Sequence, residues 1–205
     1  MKSPRPVNSA VARLRSDVKM KRKPIPEVEQ LSEESKSLYD VLNNESDLAC
    51  VLIATSYLDY ALASLLKRHF IESGLVNRLL DTPRGPISSF SARCDLAYCL
   101  GLIPAGLRQN LETVGNIRNT FAHDYFSLTL DADGMAELVN SLIPPTIHQT
   151  LNVDGERSTV TGPQPMPLIG SNRDRFNTIV VTMVNSLLLT GLQTKRREKK
   201  LTGWQ

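Results

Sequence analysis

The stretch Asn116-Ile117-Arg118-Asn119-Thr120-Phe121-Ala122-His123-Asp124-Tyr125 gathers polar groups of chemical potential more densely than any other part of this chain. An imidazole titrates close to neutral pH, so His123 is the candidate general acid or base. A guanidinium grips phosphate oxygens with a fork of donors and stabilises charge that develops on phosphorus, the candidate role of Arg118. Asn119 would orient either group, and Asp124 and Tyr125 are candidate supports, holding the imidazole or touching a sugar. These residue types together suit cleavage of RNA by its own ribose 2′-hydroxyl, which needs neither a metal nor a cofactor.

Helix geometry limits that reading. Asn119 and His123 lie one turn apart on one face. Arg118 and His123 are about 140° apart around a regular helix, so they share a cavity only through the length of the arginine or a loosened last turn. Ile117 and Phe121 would anchor the helix in the core. A structural reading stands beside the catalytic one: a helix C-terminus favours a histidine cation, and Arg118 would pair with an acid on a neighbouring helix.

The elements that must position these residues are helical. Apolar residues Leu48, Val51, Leu52, Leu58, Leu62, Leu65 and Leu66 recur at three- and four-residue spacing, which predicts a helix from Ser46-Asp47 to about Phe70. Before it, a helix is expected from Leu31 to Asn43-Asn44 with Ser32 as its cap. After it, Gly74 reads as a stop, followed by a short helix at Val76–Leu80 and a loop over residues 81–86. Ser88 or Ser89 would cap a helix reaching Gly101, and Pro104 opens the motif helix. That helix is expected to bury Leu107, Leu111, Val114, Ile117, Phe121 and Ala122. A short helix over Met135–Leu142 and a last one over Asn172–Leu192 complete the set. Between them, residues 146–170, with the hairpin-like Asn152-Val153-Asp154-Gly155, read as a loop or small insertion.

The chain has 205 residues, 41% of them hydrophobic and 22% charged, enough for one ordinary globular core built mainly from aliphatic side chains. Its net charge of +3 hides a segregation. Residues 1–23 carry eight Lys/Arg against one acid, residues 194–205 carry five against one, and residues 24–193 are net −8. Attraction to nucleic acid or an acidic partner is therefore expected at the ends, with Lys21, Arg22, Lys23, Lys195, Arg196 and Arg197 as candidate contacts, unless those ends are simply solvated. Residues 1–30 read as a flexible basic arm, 31–192 as the helical domain and 193–205 as a basic tail. Trp204 would stack on a base or partner, or fray. Cys50, Cys94 and Cys99 are too few and wrongly spaced for a disulfide framework or zinc site, and sit in apolar helical surroundings. No signal peptide or membrane span is expected, and the cytoplasm is the expected compartment. His69 reads as a helix-end cation.

Two segments carry a resemblance. Arg118-Asn119-Thr120-Phe121-Ala122-His123 resembles the Arg-x4–6-His signature of HEPN domains. Phe90-Ser91-Ala92-Arg93-Cys94-Asp95-Leu96-Ala97-Tyr98-Cys99-Leu100-Gly101-Leu102-Ile103 resembles the F-S-x-K-x-x-L-A-Y-x-L-G-L-I stretch of the mannitol operon repressor (MltR) family, with Arg93 where that pattern has Lys. The resemblance covers about residues 45–142 and the last helix. It implies an all-α, HEPN-like bundle of about six to seven helices that forms a homodimer. HEPN ribonucleases join two Arg/His motifs across a dimer cleft and cut RNA without metal, which would make Arg118, Asn119 and His123 catalytic. The MltR branch is instead named for repression of a sugar-uptake operon. No helix-turn-helix is evident, so a regulator of this type would act through a regulatory protein, through RNA or through its basic ends. Arg93 and Tyr98, on the helix before the motif, would border the same cleft beside Phe90 and Asp95, or else serve packing and salt bridges. A third reading keeps the motif purely structural and gives nucleic-acid binding to the tails.

Overall fold

The computed structural model describes residues 28–82, 84–123, 128–147, 150–153, 156–159, 164–165, 168 and 170–198. Among them the chain forms seven helices: α1 (Val28–Asn44), α2 (Asp47–His69), α3 (Gly74–Asp81), α4 (Phe90–Cys99), α5 (Ala105–His123), α6 (Met135–Ser141) and α7 (Asn172–Gln193). Four short strands interrupt the last connection: β1 (Thr146–Ile147), β2 (Thr150–Val153), β3 (Glu156–Thr159) and β4 (Gln164–Pro165). β1 pairs antiparallel with β4, and β2 with β3. The architecture is the expected all-α bundle, carrying a small β insertion within 146–170.

The helix starts follow cap chemistry. Ser46 accepts the Ala49 N–H at 3.3 Å, and Asp47 puts negative charge in the first turn of α2. Ser89 accepts from Ala92 at 3.2 Å and opens α4. Ser171 and Asp174 form a reciprocal capping box at the start of α7. Two expected boundaries move. α1 starts at Val28 rather than near Leu31, placing Ser32 inside the helix, because nothing after Pro26 opposes helix formation. Gly74 does not stop α2; it is the first residue of α3, since the Ser73 hydroxyl accepts the Leu75 N–H at 3.2 Å and caps there instead.

α2 and α7 pack against each other more extensively than any other pair, with α1 laid on both, α5 and α4 on α2, and α6 against α5 and α7. α2 and α7 are also long and apolar enough to cross a membrane by length and composition alone. Here they form the centre of the bundle, burying Leu58, Leu62, Leu65, Leu66, Phe176, Val180 and Leu187. α5 contributes Leu111, Val114, Ile117 and Phe121 to the same core. Leu107 is half-buried, and Ala122, expected inside, is exposed.

Among the described residues no buried polar side-chain atom lacks a hydrogen-bond partner. Asn177, fully buried on α7, accepts from the Cys50 thiol at 3.1 Å and donates to Asn43 Oδ1 at 2.7 Å, joining α7 to α2 and α1. Asn110 exchanges two 2.8 Å hydrogen bonds with the backbone of Ile143, fixing α5 to the segment beyond α6.

Arginines close the helix C-termini, where the last carbonyls have no partner within their own helix. Arg173 of α7 donates Nε and Nη2 to Leu42 O at the end of α1, donates to Glu45 O and pairs with Asp47, whose other oxygen accepts the Leu130 N–H at 2.7 Å. Arg175 donates to Val139, Asn140 and Leu142 carbonyls at the end of α6. Arg93 of α4 donates to Leu80 O at the end of α3, to Ile87 O, and to Asp59 of α2. Arg68 of α2 reaches Gly191 O in the last turn of α7 at 3.5 Å.

Burial disfavours the charged forms of two thiols and one imidazole. Burial pushes the Cys50 thiol up to about 11 and the Cys94 thiol up to about 12. Cys99, expected in apolar surroundings, is exposed. His69 is not the solvated helix-end cation read from sequence: it is buried, and burial first and the Arg197 charge second lower its pKa below 6.5.

Two tests follow from this packing. Arg173→Met should lower the unfolding free energy by about 3 kcal/mol in urea denaturation, since it leaves carbonyls and Asp47 without their donor, and Arg173→Lys should recover less than half of that. A histidine whose folded pKa is depressed stabilises fully above its unfolded value and loses that contribution as pH falls. Stability should therefore drop between pH 7.5 and pH 5.5 (about neutral to mildly acid, spanning the ordinary histidine value), and His69→Gln should flatten that drop; an identical drop in the variant would show that His69 does not cause it.

Candidate functional site

The motif helix α5 lies against α2 and α4, and the three leave an open groove of about 570 Å³ between them. Leu52, Thr55, Ser56 and Asp59 line it from α2, Phe90, Ser91, Cys94 and Asp95 from α4, and Arg108, Glu112, Asn116, Arg118 and Asn119 from α5. Their spacing follows from the helices. Residues 108, 112, 115, 116 and 119 are three or four apart and form one stripe on α5, opposite the buried stripe of Leu111, Val114 and Ile117. Phe90 crosses that stripe at Gly115, where a Cβ would stand in ordinary contact 3.5 Å from the ring.

Arg118 and Asn119 come together as the sequence suggests, Arg118 Nη1 donating to Asn119 Oδ1 at 3.0 Å, with both side chains exposed at the groove. His123 is exposed in the last turn of α5 and lies outside the groove lining. The regular helix runs through to His123, so the roughly 140° divergence of Arg118 and His123 persists. Asp124 and Tyr125 lie outside the described residues, as do Lys21, Arg22 and Lys23.

On α4, Phe90 and Asp95 line the groove. Arg93 does not face it. Its side chain is 7% exposed, and its donors are taken by Asp59 and two backbone carbonyls, so it braces α4 to α2 and α3. Tyr98 is exposed at the groove's edge, where the Arg108 guanidinium carbon stands 5.7 Å from its ring centre, within cation–π range.

Electrostatically the groove is mostly self-neutralised. Arg108 donates to Asp95 at 3.0 and 2.8 Å and stands 3.6 Å from Glu112, and the Asp95 hydrogen bond and charge raise its pKa. Asp59 is paired with Arg93. Arg118 forms no ion pair among the described residues. The hydroxyls are engaged locally: Thr55 donates to Val51 O at 2.8 Å and Ser56 to Leu52 O at 2.7 Å. The Cys94 thiol, pushed up to about 12, carries no thiolate at neutral pH. Among the described residues the lining therefore offers carboxylates, the Arg118 guanidinium, the side-chain amides of Asn116 and Asn119, and no imidazole.

Sequence reasoning missed Arg108, the hub of this groove. The signal was present in the Arg108–Glu112 spacing of four, but Asp95 joins it only through the packing of α4 on α5. In the tail, Lys195, Arg196 and Arg197 are exposed; Arg196 pairs with Glu72 at 2.9 Å, and the Arg197 N–H donates to His69 O at 3.0 Å.

No protein-family model matches this chain, and no curated protein matches it. Among solved structures, the X-ray structure of the MtlR–HPr complex from Escherichia coli is similar, with a TM-score of 0.49 and 21% identity over 78% of this chain and 96% of that one.

Proposed function

We propose that this chain is a regulatory binding module of the MltR type, a cytoplasmic transcriptional regulator that acts through a protein partner seated over the α2–α4–α5 groove. The observation that supports this most is the charge arrangement of the groove. Arg108 and Asp59 are held by partners within the fold, while Arg118 stands at the rim bonded to its neighbour Asn119. A surface that is neutralised within and carries a cation at its rim suits recognition of an acidic group.

A second reading keeps the motif catalytic. His123 is exposed one turn from Asn119, and Leu52, Tyr57 and Tyr98 expose apolar surface on α2 and α4. A second copy laid over these residues would make a homodimer and bring one copy's His123 toward the other's Arg118, as a HEPN-type, metal-independent endoribonuclease requires.

One pair of experiments separates the readings. Calorimetric titration with HPr should give saturable binding that Arg118→Glu weakens about tenfold or more, as expected for a charge at a docking surface; undiminished affinity in the variant would remove the groove from the interface. In parallel, mixed single-stranded RNA is incubated in EDTA with wild type and with His123→Ala, and the chain is sized at micromolar concentration. Cleavage by a dimeric wild type, abolished in His123→Ala, would replace the binding-module reading with the ribonuclease. No cleavage by either protein is the outcome expected here.

A further inference from the structure

The C-terminal tail is tied down at its root. Thr194 ends α7 by donating its N–H and hydroxyl to Thr190 O at 2.9 and 2.6 Å, and its backbone turns extended. Arg197 then donates its N–H to His69 O at 3.0 Å, and Arg68, in the same turn of α2, reaches back to Gly191 O. Both ends of the segment 194–197 are thereby held against the last turn of α2. Lys195, Arg196 and Arg197 project from it exposed, beside Arg68. Arg197 sits close enough to act electrostatically on the His69 ring.

We propose that this end of the bundle is a binding surface for the backbone of single-stranded nucleic acid, built from Lys195, Arg196 and Arg197. The tail cations occupy consecutive positions, so they present closely spaced charges to the phosphates of one strand. Guanidinium forks match phosphate oxygens in geometry as well as charge. Anchoring the root fixes those cations before binding, so less freedom is lost on contact than with a free tail. Residues 24–193 are net −8 and repel a polyanion over the rest of the surface, which confines contact to this end and favours a single strand over a broad duplex face. Glu72, exposed and paired with Arg196, is the competitor that phosphate displaces. This surface is separate from the groove and stands or falls apart from it.

Trp204 is the chain's one tryptophan and follows Arg197 closely in sequence, so its fluorescence reports on the tail directly. Titrating the full chain with an oligouridylate about twenty nucleotides long should quench that fluorescence saturably, and the logarithm of the affinity should fall with log salt at a slope of about −2, corresponding to three phosphates. The triple variant K195E/R196E/R197E should bind about tenfold more weakly or worse, and Glu72→Gln, by freeing Arg196, about twofold to threefold more tightly. Arg118→Glu, in the groove, should leave the affinity unchanged. The proposal is overturned by absent binding, by a triple variant that binds like wild type, or by an affinity indifferent to Glu72, which would show a tail acting independently of α2. Loss of binding in Arg118→Glu would overturn it too, by moving the nucleic acid to the groove. Equally tight binding of poly-glutamate of the same charge would make the surface one for acidic protein and overturn the assignment to nucleic acid.

Discussion

The last carbonyls of an α-helix have no partner in their own helix, and a bundle that buries several helix ends must bring donors to them from elsewhere. Here Arg173, Arg93, Arg175 and Arg68 reach from one helix to the end of another, closing α1, α3, α6 and α7 respectively. A guanidinium suits this work because its several donors satisfy two or three carbonyls at once while its charge opposes the negative end of the helix dipole. Each clamp also sets an orientation. Arg173 fixes the α1–α2 corner against α7 and, through Asp47, the loop that enters α6. Arg93 fixes α4 across α2 and α3, which decides how wide the groove between α4, α2 and α5 stands open.

The same clamps change what the remaining arginines mean. A surface rich in Lys and Arg says little about binding until the structural cations are subtracted. Arg93 was singled out from sequence beside Tyr98, yet its donors serve the fold. Arg108 is held by Asp95 and Glu112 and serves the groove as a strut between α4 and α5. What is left facing the groove is Arg118, with Asn119 holding its side chain at the rim. Among the described residues Arg118 has no ion pair, and an exposed charge at the edge of a concavity suits contact with a partner.

The helices were legible in the sequence because periodicity and caps are local. The apolar spacing of α2 and α7, the Ser46-Asp47 start and the Pro104 opening all act within a turn or two of the residues that encode them. The placements that sequence reasoning missed are those decided at long range. Nothing around Arg173 announces that it will meet Leu42, and nothing around His69 announces burial under the tail. Gly74 shows how even a local signal divides: a Ser-Gly pair serves a start as readily as a stop, and the Ser73 hydroxyl settled it as a start. At the candidate site, the pairing of Arg118 with Asn119 was readable from adjacency, whereas the end of the groove at Asn119, one turn short of His123 on the same face, is set by how α2 and α4 pack on α5.

Charge segregation along the chain completes the physical picture. The acidic body is not uniformly acidic in effect, because several of its carboxylates, Asp47, Asp59, Asp81 and Asp95 among them, are bound to cations within the fold. The tail cations meet fewer such partners: Arg196 has Glu72, and Arg197 contributes only its backbone N–H to the anchor, leaving its side chain exposed. Anchoring through the backbone is the economical arrangement for a surface meant to hold anions, since it fixes the position of a charge without neutralising it. Burial first and the Arg197 charge second disfavour protonation of the His69 ring beneath the tail, and the His69 carbonyl accepts the Arg197 N–H.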